Sequence, residues 1–212
     1  MYLWPQTSSM WEFEWFHYGV MTRASDGCVP RGIKQGYLWA MDNEAFTRGF
    51  DFERWKGHWQ RLAPYSKRCM FVVVPDVVGD ARATLDMWRE WSGRIKAELD
   101  YYDNLRHVRK PWMCLAYVAQ DGSEALPFPD EAQWIFIGGS TEWKLSAAAD
   151  DVVKRAQRDK LWVHVGRVNS QKRWRHFQFL DVDSMDGTGP CREPDNFKRL
   201  FDALFPQWSL FS

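Results

Sequence analysis

Two acids stand three positions apart at the end of an apolar stretch, where the chain enters a glycine-rich loop. They are Asp183 and Asp186, and the loop carries Gly187, Gly189 and then Arg192. An isolated aspartate at such a turn is most often a helix cap or a turn residue. A carboxylate that opens into a binding cavity can instead attack an electrophilic carbon. We therefore expect Asp186 to be the reactive acid and Asp183 to be structural.

Seven short apolar runs divide the chain. Most are continuous rather than alternating, which is typical of parallel strands covered on both faces. The expected strands are Phe16–Met21, Tyr37–Met41, Cys69–Val74, Met113–Val118, Trp134–Ile137, Leu161–Val165 and Phe177–Val182. Helical patterns lie between them, with Asp80 and Ser146 as expected N-caps and a last helix expected from Asp195. This alternation predicts an α/β fold.

Polar or glycine residues end almost every expected strand. All strand ends of a (β/α)8 barrel meet at one mouth, whereas a doubly wound sheet uses only the few near its switch point. The mouth residues are expected to be Asp42, Asn43, Asp76, Gln120, Gly138, Gly139, Ser140, Gly166 and Asp186. We therefore predict a trimmed TIM-type barrel with one strand short or missed, as a single domain over residues 1–212.

Such a mouth suits a flat polar heterocycle. Carboxylates accept hydrogen bonds from ring N–H and amino groups, and the backbone N–H of a glycine can approach a ring carbonyl closely. This donor and acceptor pattern matches the edge of a guanine, and a further carboxylate beside the sugar could attack its anomeric carbon. The five histidines and four cysteines form no metal-binding pattern. No metal or cofactor is therefore expected.

A basic segment precedes the acidic pair, although the formal net charge of the chain is zero. Its basic residues from Lys154 to Lys160 are typical of a solvated helix face. Those at the expected mouth are Arg167, Lys172, Arg173 and Arg175. Trp174 is interleaved with them, as in proteins whose aromatic side chains stack on unpaired bases. The segment therefore predicts contact with a nucleic-acid backbone.

Six segments, in order along the chain, resemble motifs of the tRNA-guanine transglycosylase superfamily. They are Leu38–Phe46, Val74–Asp76, Val118–Gly122, Gly138–Gly139, Val165–Gly166 and Val182–Asp186, followed by Pro190 and Arg192. Within the superfamily, the sequence most resembles the small bacteriophage enzymes that insert 7-deazaguanines such as preQ0 into DNA. It departs from the tRNA enzymes in Met185, in the small residues 187–189, and in having no Cys/His zinc subdomain after Arg192. DNA is therefore expected as the substrate rather than tRNA.

The resemblance implies a pentosyltransferase that exchanges guanine for a free 7-deazaguanine by double displacement. It assigns the nucleophile to Asp186 and the general acid/base to Asp42, which is the better candidate for a raised pKa. Contact with the base is implied for Asp76, Gln120, Gly138 and Gly139, and Asn43, Ser140 and Gly166 are expected beside them. Arg192 is expected to face the polynucleotide backbone.

Two other functions remain open at the level of the sequence. One is a nucleoside or nucleotide N-glycosidase, in which water resolves the intermediate; the other is a barrel that binds nucleic acid without catalysis. No signal peptide or membrane-spanning run is recognised, so a cytoplasmic location is expected, that of the host if a phage encodes the chain. The sequence leaves open the choice of 7-deazaguanine, any DNA sequence preference and the oligomeric state.

Overall fold

A closed barrel of eight parallel strands forms the centre of the protein. The computed structural model describes residues 2–5, 18–45, 49–105 and 114–188. The strands are β1 (Tyr2–Pro5), β2 (Tyr18–Arg23), β3 (Trp39–Asp42), β4 (Cys69–Val73), β5 (Cys114–Ala119), β6 (Trp134–Ile137), β7 (Trp162–Val165) and β8 (Ser184–Asp186). Each strand pairs with the next in sequence, and β8 pairs back with β1. The predicted TIM-type α/β barrel is confirmed.

Helices connect most of these strands. They are α1 (Arg31–Lys34), α2 (Phe52–Leu62), α3 (Ala81–Leu105), α4 (Thr141–Lys144), α5 (Ala147–Arg158) and α6 (Gln171–Phe179). The expected caps of α3 and α5 are confirmed: the Asp80 carboxylate accepts from Ala83 N–H at 2.9 Å, and Ser146 Oγ accepts from Ala149 N–H at 3.4 Å. The helix expected from Asp195 lies outside the described residues. None of the described helices is long and apolar enough to cross a membrane.

The strand predicted at Phe177–Val182 is wrong. This run belongs to α6 and the turn after it, and the eighth strand begins at Ser184. Ser170 caps α6, and Phe177 and Leu180 are both buried three positions apart, which is a helical spacing. A six-residue apolar run is too short for its periodicity to separate a helix end from a strand.

Strand β1, at Tyr2–Pro5, was not predicted from the sequence at all. It pairs with β2 on one side and with β8 on the other, so it closes the barrel. Four residues give too little pattern to identify a strand by periodicity. Its partners across the closure are known only once the chain is folded.

The strands have two buried faces, as their continuous apolar character predicts. Successive side chains point to opposite sides, so Val72 packs among the outer helices while Phe71 and Val73 fill the barrel interior. The inner layer also contains Val118 and Trp134. The same alternation carries polar side chains of the interior up to the carboxyl ends of the strands, where they meet.

Candidate active site

A cavity of about 400 Å³ opens at the carboxyl ends of the strands. Its polar lining consists of Arg23, Asp42, Asn43, Glu44, Asp76, Gln120, Arg167, Asn169, Asp186 and Thr188. Its apolar lining comes from Met21, Val73, Val78, Val118 and Phe136. The three aspartates and the glutamine proposed for the site from the sequence therefore share one cavity. This volume falls within the usual range for small-ligand sites.

Asp186 ends β8 and is held at both carboxylate oxygens. Oδ2 lies 2.9 Å from Nε2 of His164, and Oδ1 accepts the backbone N–H of Arg167 at 2.9 Å. Arg167 reaches this position with a left-handed φ of 59°, which is unfavourable for a residue other than glycine. The side chain of Asp186 remains 17% exposed and faces the cavity. The carboxylate is therefore oriented by the fold and still accessible.

Gly166 makes room beside Asp186. Val165 of β7 pairs with Met185 of β8, so the next residues of the two segments, Gly166 and Asp186, lie side by side. A Cβ at Gly166 would lie 2.5 Å from the Phe136 ring and 3.7 Å from Asp186 Oδ2. A side chain there would therefore displace the aromatic wall of the cavity. Gly166 itself is not among the residues that line the cavity, so a direct contact with a base stays a prediction.

Asp42 ends β3 and lines the same cavity. Burial raises the pKa of Asp42 to about 7, and the negative charges of Asp186 and Asp76 act in the same direction. The backbone N–H of Glu44, 3.3 Å from Oδ1, opposes this effect. The raised pKa expected for Asp42 is confirmed. A carboxyl that titrates near neutral pH can both donate and accept a proton under physiological conditions.

Asp76 is the centre of a hydrogen-bonded network that joins the ends of β3, β4 and β5. Asn43 Nδ2 donates to Oδ1 at 2.7 Å, and Gln120 Nε2 donates to Oδ2 at 2.6 Å. Burial raises the pKa of Asp76, while these two hydrogen bonds act against the rise. Asn43 Nδ2 also donates to the Val74 carbonyl at 2.8 Å, which fixes the amide on the backbone. The network presents a carboxylate with a defined orientation to the cavity.

The Gly138–Gly139 turn follows β6 and supports Gln120. Gly139 N–H donates to Gln120 Oε1 at 3.0 Å, and Gly79 N–H donates to the same oxygen at 2.9 Å. Gly138 N–H donates to the Ala119 carbonyl at 2.9 Å. Both N–H groups that the sequence offered to a ring carbonyl therefore already have partners within the barrel. Gly138 lines the cavity, and its lack of a Cβ is required because one would lie 2.7 Å from Val118.

Ser140 acts as a helix cap rather than a cavity residue. Its Oγ accepts from the N–H of Trp143 at 3.1 Å to start α4, and it donates to the Asp121 carboxylate at 2.6 Å. Asp121 also accepts the backbone N–H of Ser140 at 2.7 Å. Ser140 and Gly139 are absent from the cavity lining. Their contact with a substrate stays a prediction. In the structure, their hydrogen bonds stabilise the turn after β6.

Asp183 joins two strands. Its Oδ2 accepts the backbone N–H of Val163 at 2.7 Å, so the carboxylate ties the start of β8 to β7. It is not among the cavity residues. Asp183 and Asp186 therefore have different positions, as expected: Asp183 joins two strands, and Asp186 lines the cavity.

The basic segment divides into bracing and exposed side chains. Arg167 donates to the Gly139 carbonyl at 2.8 Å, and Arg173 donates to the Arg167 carbonyl at 2.8 Å, so both brace the loops of the mouth. Lys172 and Arg175 are exposed on α6. The expectation that Trp174 stacks on bases is wrong, because helix α6 turns it into the core, where it is 4% exposed. Arg192 lies outside the described residues.

The charged residues Arg23 and Glu44 line the cavity but were not among the site residues predicted from the sequence, and two buried side chains outside the lining, His164 and Lys144, also escaped the prediction. His164, fully buried, contacts Asp186, and Lys144 donates from Nζ to the Gly166 carbonyl at 2.8 Å. Burial and, after it, the nearby positive charge of Arg167 lower the pKa of Lys144 to about 7. The available signal was a polar residue inside an apolar strand, since His164 is flanked by valines in β7. Lys144 gave no such signal, because lysine in a short helix is ordinary.

No protein-family model and no curated protein matches this sequence. The resemblance to the transglycosylase superfamily therefore rests on the short motifs and stays a prediction. Within the described part of the chain, no group of three or more His, Cys, Asp or Glu side chains could hold a metal ion. Carboxylates, amides, arginines and a threonine make up the polar lining of the cavity.

Proposed function

We propose that this protein is a guanine transglycosylase that exchanges guanine in DNA for a 7-deazaguanine such as preQ0. A carboxylate oxygen of Asp186 attacks C1′ of the target nucleotide, and the bond from C1′ to N9 of guanine breaks. Asp42 gives its proton to the departing guanine. The incoming base then loses its N9 proton to Asp42 and attacks C1′, and the ester bond to Asp186 breaks.

The observation that carries this proposal is the pair of carboxylates in unlike environments within one cavity. Asp186 is held at both carboxylate oxygens, one beside His164 Nε2 and one on the backbone N–H of Arg167, so the carboxylate is oriented. Asp42 has its pKa raised to about 7 by burial and by its acidic neighbours. Two carboxyl groups in one cavity, one held in a fixed orientation and one with a raised pKa, can divide nucleophilic and acid/base work between them.

The network around Asp76 supports a purine-like leaving group. Its carboxylate lines the same cavity as Asp186 and is held in place by the amides of Asn43 and Gln120. A fixed carboxylate is a good acceptor for an amino group and an adjacent ring N–H, which is the pattern of the guanine edge. Cavity walls from Val118 and Phe136 suit the flat faces of the same heterocycle.

The cavity volume supports a single nucleotide rather than a stacked duplex. About 400 Å³ suits one nucleoside, so a target in a duplex must be rotated out of the stack or be single-stranded. Lys172 and Arg175 are exposed on α6, which begins just after the loop bearing Arg167. Phosphate contacts from such side chains would hold the strand while one nucleotide enters the site.

The deciding experiment incubates the protein and labelled preQ0 with DNA in one reaction and with tRNA in another. Digestion to nucleosides and mass analysis should then reveal preQ0 in the DNA-derived nucleosides. Release of guanine without incorporation of the label would replace this proposal with an N-glycosidase. Binding of DNA with neither release nor incorporation would replace it with a non-catalytic binding barrel.

The covalent intermediate can be tested separately. Wild-type protein, mixed with DNA and quenched by denaturation, should carry a covalent nucleotide adduct detectable by mass. Asp186→Asn should form none, because an amide is a poor nucleophile. Asp183→Asn is the matched control, since Asp183 is an acid of the same segment bonded to the Val163 backbone. An adduct that survives in Asp186→Asn would overturn the assignment of the nucleophile.

A further inference from the structure

We propose that His164 is a positioning residue that holds the Asp186 carboxylate for attack through its Nε2–H, in a tautomer that the Ser184 hydroxyl stabilises by donating to Nδ1. This inference rests on the proposed nucleophilic role of Asp186. It adds a chain of three side chains, Ser184, His164 and Asp186, that runs from the barrel interior to the cavity. Neither His164 nor Ser184 lines the cavity, so the chain acts from behind the reacting group.

The chain is built by the register of two neighbouring strands. His164 of β7 pairs with Ser184 of β8, and both are fully buried. His164 Nδ1 lies 2.8 Å from Ser184 Oγ, and Nε2 lies 2.9 Å from Asp186 Oδ2. The imidazole therefore bridges two positions of β8 that are two residues apart and face the same side of the sheet.

The proton positions follow from the chemistry of the two partners. A nucleophilic carboxylate is ionised and can only accept, so Nε2 must carry the proton that it shares with Asp186. Burial lowers the pKa of His164, which favours the neutral ring with a single N–H. Nδ1 is then an acceptor, and the Ser184 hydroxyl must donate to it. The Ser184 hydroxyl thereby stabilises the tautomer that Asp186 requires.

Aromatic neighbours hold the imidazole in its plane. The ring centroid of His164 lies 5.0 Å from that of Phe71 and 4.7 Å from that of Phe136. A ring packed in this way cannot swing away from Asp186 without disturbing the inner layer of the barrel. The donor is therefore fixed before any substrate arrives.

The two donors on Asp186 determine how its carboxylate faces the cavity. His164 binds Oδ2 and the Arg167 N–H binds Oδ1, so rotation of the carboxylate about its χ2 angle would break both contacts. The remaining lone pairs are left for C1′. When the second base displaces the sugar, Asp186 leaves with a negative charge, and a preorganised N–H stabilises that charge. Both chemical steps therefore depend on His164, whereas base recognition does not.

Three variants test this role. His164→Phe keeps a ring and removes the donor, and we expect kcat to fall roughly 100-fold with KM changed less than about threefold, as for loss of one preorganised donor. His164→Gln can place an N–H near the position of Nε2 and should recover most of that loss. Ser184→Ala removes the donor to Nδ1 and should give a smaller fall in kcat. Thermal unfolding of each variant verifies that the barrel is intact.

Unchanged kcat in His164→Phe would overturn the proposal. Equal losses in His164→Phe and His164→Gln would also overturn it, because packing and not donation would then be the cause. The tautomer is measured without activity, by NMR of protein with ¹⁵N-labelled histidine, with His164→Gln used for assignment. A neutral ring protonated at Nε2 is expected, and a proton at Nδ1 overturns the inference. A wild type without exchange activity overturns the proposed function instead, and the NMR result still decides the tautomer.

Discussion

The carboxylates of Asp76 and Asp186 line one cavity, but different kinds of groups hold them. Asp76 accepts from two side-chain amides, and one of these, Gln120, is itself bound by the N–H groups of two glycines. Asp186 accepts from a buried ring and from one backbone N–H. The Asp76 side is thus an extended polar network suited to recognition, whereas the Asp186 side leaves a single oriented carboxylate suited to attack.

Removing the charge of each carboxylate in turn tests whether Asp186 and Asp76 have separate roles. Asp186→Asn should lower kcat roughly 10,000-fold or more, as loss of a nucleophile does. Asp76→Asn should raise KM for the free base about 10- to 100-fold, the cost of one or two misplaced hydrogen bonds to a charged group, with a much smaller change in kcat. Steady-state kinetics with labelled preQ0 measures both. Similar losses of kcat in the two variants would abolish the proposed division of labour.

Asp42 is close enough to both Asp186 and Asp76 to feel their charges, and it should set the pH dependence of the reaction. Its pKa is raised to about 7, so the protonated form that releases guanine is lost as the pH rises through 7. The rate of guanine release should therefore decline above about pH 7. Asp42→Asn should lower that rate by roughly 100- to 10,000-fold and abolish this limb of the profile. A limb that persists in Asp42→Asn would assign it to another group.

The same carboxyl should lower the stability of the folded protein at alkaline pH. Between the ordinary pKa of 3.8 and about 7, the folded state retains a proton that the unfolded state has released, so the free energy of unfolding falls as the pH rises. Asp42→Asn should therefore gain about 1–2 kcal/mol over wild type on going from pH 5 to pH 8, allowing for partial solvent screening. Denaturant unfolding of both proteins measures this difference. An unchanged difference would contradict the raised pKa.

The smallest effects are expected outside the cavity, on the exposed basic side chains of α6. Lys172→Ala and Arg175→Ala should weaken DNA binding and each reduce the slope of log K against log salt by about 1. Lys154→Ala is the control, since Lys154 is exposed on α5 in the run interpreted as a solvated face. Binding titrations at several salt concentrations measure the slopes. Equal slopes for all three variants would remove α6 from the DNA path.

Much of the site follows from local sequence. Asp42, Gln120 and Asp186 could be assigned to one cavity because the carboxyl ends of parallel barrel strands converge. Asp80 and Ser146 could be assigned as caps because a cap acts on a backbone N–H three residues away. These predictions depend only on spacing along the chain and on the geometry of one repeating unit.

Other features depend on partners that are distant in sequence. Trp174 lies in the core and not on a base, because the rotation of α6 against the barrel decides which side it faces. The N–H groups of Gly138 and Gly139 have partners within the barrel, although glycine in a turn indicates only that close approach is possible. Lys144 reaches the Gly166 carbonyl from the end of α4, 22 positions away in the sequence.

The barrel and the acids at its mouth could be predicted from the sequence, since the recurring apolar runs and the polar residues that end them carry that information. The groups that contact each acid could be identified only from the folded structure. The pairing of β7 with β8 brought His164 and Ser184 together with Asp186, and the packing of β3 to β5 enclosed Asp76 between two amides. Hydrogen-bond partners and burial, which set orientation and pKa, arise from contacts across strands and exist only in the closed barrel.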